Sequence, residues 1–171
     1  TVYAVSKLAG EELVKAYHSE FSNLDYSILR YFNAYGPHQV SQFVISRFIH
    51  RVMMDKSPII YGDGSQKRSY NFSSDTARGT ADALISDKSN NAILNIGNSK
   101  EPISLIDLGK KIIKIAGKED SLEVEIKNSF KDTDRDSKRE IFQRYCNTDL
   151  AKSMIGYQSK ISLDEGIKII I

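Results

Sequence analysis

The chain has 171 residues, of which 40% are hydrophobic and 27% charged, and its formal net charge is +2 with three histidines neutral. That length allows one domain with a proper core, and the near-neutral balance gives no footing for a nucleic-acid or anionic membrane surface. No apolar run approaches the length of a bilayer span, and the single cysteine, Cys146, cannot form an internal disulfide, which favours a reducing, cytoplasmic setting.

Near the start, Val5, Leu8, Ala9, Leu13, Ala16, Tyr17 and Phe21 recur at helical spacing, predicting a helix over 5–21 that Ser22-Asn23 ends. Residues 26–32 read as a strand, followed by a turn at Asn33-Ala34-Tyr35-Gly36-Pro37. A second helix over 42–54 stops before Pro58. A short strand at Ile59-Ile60-Tyr61 meets the turn Gly62-Asp63-Gly64-Ser65, and residues 68–72 continue as another strand. Then come a helix over 75–85 and a strand over 92–96 closed by Gly97-Asn98. Ser104-Leu105-Ile106-Asp107 is a capping signature for a helix reaching Ala116, with Gly117 as its C-cap. Alternation over 122–126 predicts an exposed edge strand, 131–140 a charge-dense loop, and 145–148 a short strand. Asp149 caps the next helix, which ends at Gly156, and Ser162-Leu163-Asp164-Glu165 is a capping box for the last one. Strands alternate with helices, so the fold class is α/β. The start at Thr1, almost directly into a helical pattern, and the end on Ile169-Ile170-Ile171 without a C-cap signal read as a piece of a longer protein.

Tyr3 and Lys7 stand four residues apart, so on a helix they share one face. A cation beside a phenol favours the phenolate, which makes the pair a sensible acid/base couple. The spacing by itself favours a solvated helix-surface pair. Arg68 follows the turn Gly62-Asp63-Gly64, and a guanidinium can clamp a phosphate with two parallel donors. His18, His38 and His50 have no metal-ligand spacing and no Cys-His pair is present, so no metal is expected. Cys146 reads as a small buried apolar residue.

The segments YAVSKLAGEELV, LRYFNAYGP, IIYGDGSQKRSYNFSSD, ILNIGN and NTDLAKSMIGYQSKISLDEGI follow one another in a telling order. Together they closely resemble the C-terminal half of the extended short-chain dehydrogenase/reductase family, the NAD-dependent nucleotide-sugar epimerases and dehydratases. The resemblance runs from Tyr3 to Ile167 and is weakest over 132–144. It implies the C-terminal part of a Rossmann-type parallel sheet plus a smaller α/β substrate-binding domain. Residues 1–37 would end the dinucleotide-binding domain, and 38–171 would be mainly substrate-binding, with segments returning to the Rossmann sheet. The family's Gly-rich strand-turn-helix, which cradles the cofactor pyrophosphate, has no counterpart in this sequence. The Ser or Thr that precedes the catalytic Tyr belongs to the same upstream region.

Carried over residue by residue, the resemblance makes Tyr3 the group that takes a proton from a sugar hydroxyl while the carbon beneath passes hydride to NAD. Lys7 holds the nicotinamide ribose and lowers the phenol's pKa. Phe32 would make a backbone contact near the nicotinamide, and Asn33 a hydrogen bond to the sugar nucleotide. Arg68 and Arg144 would bind the substrate diphosphate, and Val44 and Ile45 would pack near the nucleotide base. Core packing suits Phe32, Val44 and Ile45 as well, and Asn33 also suits a plain turn. The sequence departs from the family at Asn71, often apolar there, at Ser69, often Asp, and at Ser73-Ser74-Asp75, where Val-Asp-Asp is frequent. The implied activity is 4-epimerisation through a 4-keto sugar; a 4,6-dehydratase or a decarboxylase of the same family is the alternative. A non-catalytic interaction domain, with residues 3–21 as its docking helix, is the alternative of another class. Expected partners are NAD, a nucleotide sugar and a second copy joined through the helix of Tyr3 and Lys7, with no nucleic acid and no membrane.

Overall fold

In the computed structural model, residues 1–127 and 141–171 are described. Thr1 accepts at Oγ1 from the Ala4 N–H at 3.2 Å, and this cap starts α1 (Val2–Glu20) earlier than the apolar spacing predicts. Then follow β1 (Ser27–Tyr31), β2 (Ala34–Tyr35), α2 (Val44–Met53), β3 (Ile59–Tyr61), β4 (Lys67–Arg68), β5 (Asn71–Phe72) and α3 (Ser73–Ile85). The second half holds β6 (Ala92–Ile96), β7 (Ile103–Ser104), α4 (Leu105–Ile115), β8 (Glu125–Lys127), β9 (Gln143–Arg144), α5 (Asp149–Ile155) and α6 (Leu163–Ile170).

Parallel pairing dominates. β1 lies beside β6, with Ser27 opposite Ala92 and Tyr31 opposite Ile96. β2 pairs with β5 and β3 with β8, both parallel. β4 sits between antiparallel β7 and parallel β9. The larger core cluster gathers Phe48 and Val52 of α2, Ile60 of β3, Leu108 and Ile112 of α4 and Ile167 of α6. A smaller cluster joins Leu94 and Ile96 of β6 to Ala83 of α3, Ala151 of α5 and Tyr157.

Helix α1 contributes no buried residue. Its tie to the sheet is polar: Arg30 of β1 donates from Nε and Nη2 to the two carboxylate oxygens of Glu11 at 2.7 and 2.6 Å. That guanidinium holds the Glu11 carboxyl below its usual range.

A buried knot links α3, the end of β6 and the chain before α6. The Tyr157 O–H is shared between Asn71 Oδ1 and the Gly97 carbonyl, each at 3.2 Å, and burial pushes this phenol up to about 12. Gly79 must be glycine here, since a Cβ would come within 2.6 Å of the Tyr157 ring. Asp75 Oδ1 accepts from Arg78 at 2.6 Å, and Oδ2 accepts from the Lys160 and Ile161 N–H groups at 2.8 and 2.9 Å. Asn71, polar where the family is often apolar, also donates to Thr76 Oγ1 at 2.7 Å, so its burial leaves no unmet amide.

Several expectations need correction. Residues 68–72 are not one strand: β4 and β5 belong to different sheets, and the chain crosses between them at Ser69 and Tyr70, both buried. No strand forms over 145–148; β9 lies at 143–144, and Asn147 Oδ1 then accepts from the Asp149 N–H at 2.7 Å to turn the chain into α5. Thr148, rather than Asp149, is the N-cap residue. The turn at 33–37 contains β2, and the edge strand begins only at Glu125, because Ser121 and Leu122 bond back to the Lys118 carbonyl. The expected loop at 131–140 lies outside the described residues.

Candidate active site

Pairing in register is what builds the site. β4 and β9 run parallel with Arg68 opposite Arg144. Two cations on neighbouring strands repel unless an anion lies between them. Each is nonetheless held. The Arg68 fork donates to the carbonyls of Lys67 at 2.8 Å, Phe142 at 3.3 Å and Ile141 at 2.5 Å. Arg144 Nη2 donates to Asn33 Oδ1 at 3.1 Å, while Asn33 Nδ2 donates to the Ser69 carbonyl at 3.1 Å. Asn33 itself sits just beyond β1 at φ 28°, in the left-handed half of the map that Asn tolerates better than most side chains.

These three residues line a cavity of about 370 Å³, together with Val44 and Ile45. All five residues expected to meet the substrate therefore share one wall system. The first turn of α2 also borders the cavity, and its N-cap Phe43 supplies no side-chain cap, so this helix end favours an anion. Arg47 adds a third guanidinium, and none of the described lining residues is Asp or Glu. Ile45 serves twice, since it is also part of the larger core cluster, and Val44 packs against that cluster.

Tyr3, Lys7 and Phe32 do not line this cavity. Tyr3 and Lys7 do share a face of α1, with Lys7 Nζ 5.4 Å from the Tyr3 ring centroid, and Tyr3 is 71% exposed. Phe32 follows β1 and extends its ladder, donating its N–H to the Ile96 carbonyl at 3.0 Å. Among the described residues, no group of His, Cys, Asp and Glu side chains could hold a metal ion.

Among the lining residues that the sequence reading did not assign to a site are Arg47 and Gln66. The signals were present: Arg47 is three residues beyond Val44 on a helix, and Gln66 stands just ahead of β4, two residues before Arg68. Neither spacing meant anything until the cavity gave those faces a direction.

Comparison with known proteins finds relatives over nearly the whole chain. The family model described as GDP-mannose 4,6 dehydratase matches residues 1–170. A Methanocaldococcus jannaschii protein assigned as a UDP-glucose 4-epimerase is 34% identical over 174 residues, spanning 99% of this chain and 52% of that protein. A UDP-glucuronate 4-epimerase of Thermodesulfobacterium geofontis is 31% identical over 166 residues, 97% of this chain and 48% of the relative. The crystal structure of UDP-glucuronic acid 4-epimerase from Bacillus cereus, with UDP-glucuronic acid and NAD, superposes at a TM-score of 0.83 with 33% identity, covering 98% of this chain and 50% of that one. The chain thus spans about half the length of the relatives it matches. The fold is accordingly the C-terminal part of a Rossmann-type sheet with the α/β elements that follow it. By the match over nearly its whole length and the shared architecture, the chain belongs to the extended short-chain dehydrogenase/reductase family of NAD-dependent nucleotide-sugar epimerases and dehydratases.

Proposed function

We propose that the chain is the substrate-binding half of an NAD-dependent nucleotide-sugar 4-epimerase. The observation that carries this is the cavity in which Arg68 stands opposite Arg144 and whose described lining residues include no Asp or Glu, an arrangement suited to the diphosphate of a sugar nucleotide. Arg68 and Arg144 bind its oxygens, Asn33 orients Arg144 and bounds the sugar end, and Val44 and Ile45 offer an apolar wall to the base. Residues 1–37 would complete a dinucleotide-binding domain, and 38–171 the substrate domain with its returns to the sheet.

The exposed face of α1 fits the nicotinamide end of the cofactor, because it presents a phenol and an ammonium side by side. NAD, when bound, supplies the hydride acceptor and donor. Tyr3 would take the proton of the sugar 4-hydroxyl when that carbon is oxidised and would return it when the carbon is reduced again. Lys7 holds the nicotinamide ribose and favours the Tyr3 phenolate. Phe32 bounds the nicotinamide end through its backbone. A 4,6-dehydratase would use the same residues up to the ketone, and the match to a dehydratase family model supports that second reading.

The same proposal includes a homodimer through α1, on which Val5, Leu8 and Leu13 are more than half exposed, and a reducing, cytoplasmic setting in which Cys146 stays a buried free thiol. Tyr3→Phe tests the mechanism in a protein carrying both halves. Turnover should fall at least about a hundredfold with the fold intact by circular dichroism. Near-normal turnover would reduce Tyr3 and Lys7 to a structural pair.

A further inference from the structure

We propose that Glu11 and Arg30 are positioning residues for the reaction: their ion pair sets the rotation of α1 about its axis, so that Tyr3 and Lys7 face the end of β1. Glu11, Lys15 and His18 are the half-buried residues of α1, so the face that this helix turns to the described body is polar. No residue of α1 is buried, and apolar packing among the described residues therefore does not fix its rotation. Two contacts act on that face instead. His18 Nδ1 lies 2.7 Å from the Leu24 carbonyl oxygen, and its ring meets Tyr26 edge-on at 5.5 Å. Glu11 accepts both arms of the Arg30 fork, at 2.7 and 2.6 Å. With the Arg30 side chain 50% exposed, such a pair adds little stability. Its contribution is geometric, because a bidentate contact fixes orientation as well as distance.

The two contacts also give a direction. His18 meets Tyr26, while Glu11, earlier on the helix, meets Arg30, later on the strand, so α1 runs antiparallel to β1. Successive side chains of a strand point to opposite faces. Arg30 accordingly reaches α1, and Tyr31 reaches Thr80 of α3 on the other side at 3.0 Å. Tyr3 lies eight residues back from Glu11, about 12 Å along the helix. Asn33 lies three residues on from Arg30, about 10 Å along the strand direction. The turn of α1 that carries Tyr3 therefore arrives level with the strand end that carries Phe32 and Asn33. Tyr3, Lys7 and Glu11 stand at i, i+4 and i+8, on one slowly drifting stripe of the helix. Turning α1 about its axis would swing the phenol and the ammonium away from the strand end together. A misplacement of about 1 Å at a reacting group can cost about a hundredfold in rate. This inference rests on the reading of Tyr3 and Lys7 as the catalytic pair.

The test uses a protein carrying both halves and three variants. Arg30→Lys keeps the charge and loses the fork, Glu11→Gln removes the carboxylate, and the double variant Glu11→Arg with Arg30→Glu swaps the charges across the same gap. Each single variant should lower turnover per bound NAD at least about tenfold, with KM for the sugar nucleotide unchanged, because neither residue lines the arginine cavity. The swap should recover most of that loss, which a mere loss of folded protein would not allow. A second readout needs no cofactor: in the 171-residue chain, Glu11→Gln should speed amide hydrogen exchange in α1 and leave α2 and α4 as in wild type. Full turnover in both single variants, a swap no better than the singles, or unaltered exchange in α1 overturns the inference. Tyr3→Phe separates this from the reading beneath it. Normal turnover in Tyr3→Phe removes the catalytic pair, and this inference with it. An inactive Tyr3→Phe beside fully active Arg30→Lys and Glu11→Gln overturns this inference and leaves the catalytic pair standing.

Discussion

Arg68 and Arg144 illustrate how little a residue's type says without its neighbours. On most surfaces an arginine is solvated and contributes little. Here the backbone carbonyls of Lys67, Ile141 and Phe142 fix one guanidinium and Asn33 fixes the other, so two donor forks are set in place before any ligand arrives. Pre-set geometry is what distinguishes a clamp from a charge. Arg68→Lys keeps the positive charge but loses the fork. Affinity for the sugar nucleotide should therefore weaken by roughly 1–3 kcal/mol in calorimetry, the range for charge-assisted hydrogen bonds. NAD binding to a protein carrying both halves should not change, and a parallel loss of NAD affinity would show that Arg68 is not the diphosphate ligand.

The secondary-structure elements divide into those that stabilise themselves and those held by others. Helix α6 carries its own start signal: Ser162 Oγ accepts from the Glu165 N–H, and the Glu165 carboxylate accepts from the Ser162 hydroxyl at 2.7 Å and the Ser162 N–H at 2.9 Å, which together draw that carboxyl below its usual range. Helix α3 is anchored instead by one buried carboxylate. Asp75 is 2% exposed and ties Arg78 of its own helix to the backbone of Lys160 and Ile161. Removing it leaves two backbone N–H groups without their acceptor and takes the shortest ion pair from Arg78, which keeps the Gln158 carbonyl at 2.6 Å and Asp82 at 3.7 Å. Asp75→Ala should cost about 3 kcal/mol, at the low end for breaking a buried pair because Arg78 keeps some solvent contact. Urea denaturation measures this, and a loss under about 1 kcal/mol would mean that water replaces the carboxylate freely.

Taken as one body, the chain buries a substrate-side core well and leaves its first helix without one. The core cluster around Phe48, Leu108 and Ile167 surrounds the wall of the arginine cavity, whereas α1 touches the rest chiefly through the Glu11–Arg30 pair. The two halves of the proposed site should therefore behave differently in isolation. No G-x-G-x-x-G turn occurs in this sequence, so the backbone cradle that would bind the cofactor pyrophosphate is not supplied by these residues. By itself the chain should bind UDP but show no micromolar affinity for NAD in calorimetry. Micromolar NAD binding would mean that Tyr3, Lys7 and Phe32 suffice to hold it.

Local signals were legible wherever one short stretch dictates its own backbone. The capping residues at Ser104 and Ser162, the left-handed Gly117 and Gly156, and the β6 boundaries all stand where the sequence puts them. The motif series was legible too, because its order and spacing survive without coordinates. Pairing between distant segments was not. That 68–72 splits between two sheets depends on partners 37 or more positions away for β4 and β5, at Gln143, Ser104 and Ala34, none of which leaves a mark on the stretch itself. Gln66 shows the same limit at the site. In the sequence it is a polar residue beside a turn; only packing decides that its amide is buried and unanswered, because burial is a property of what surrounds a side chain rather than of the side chain.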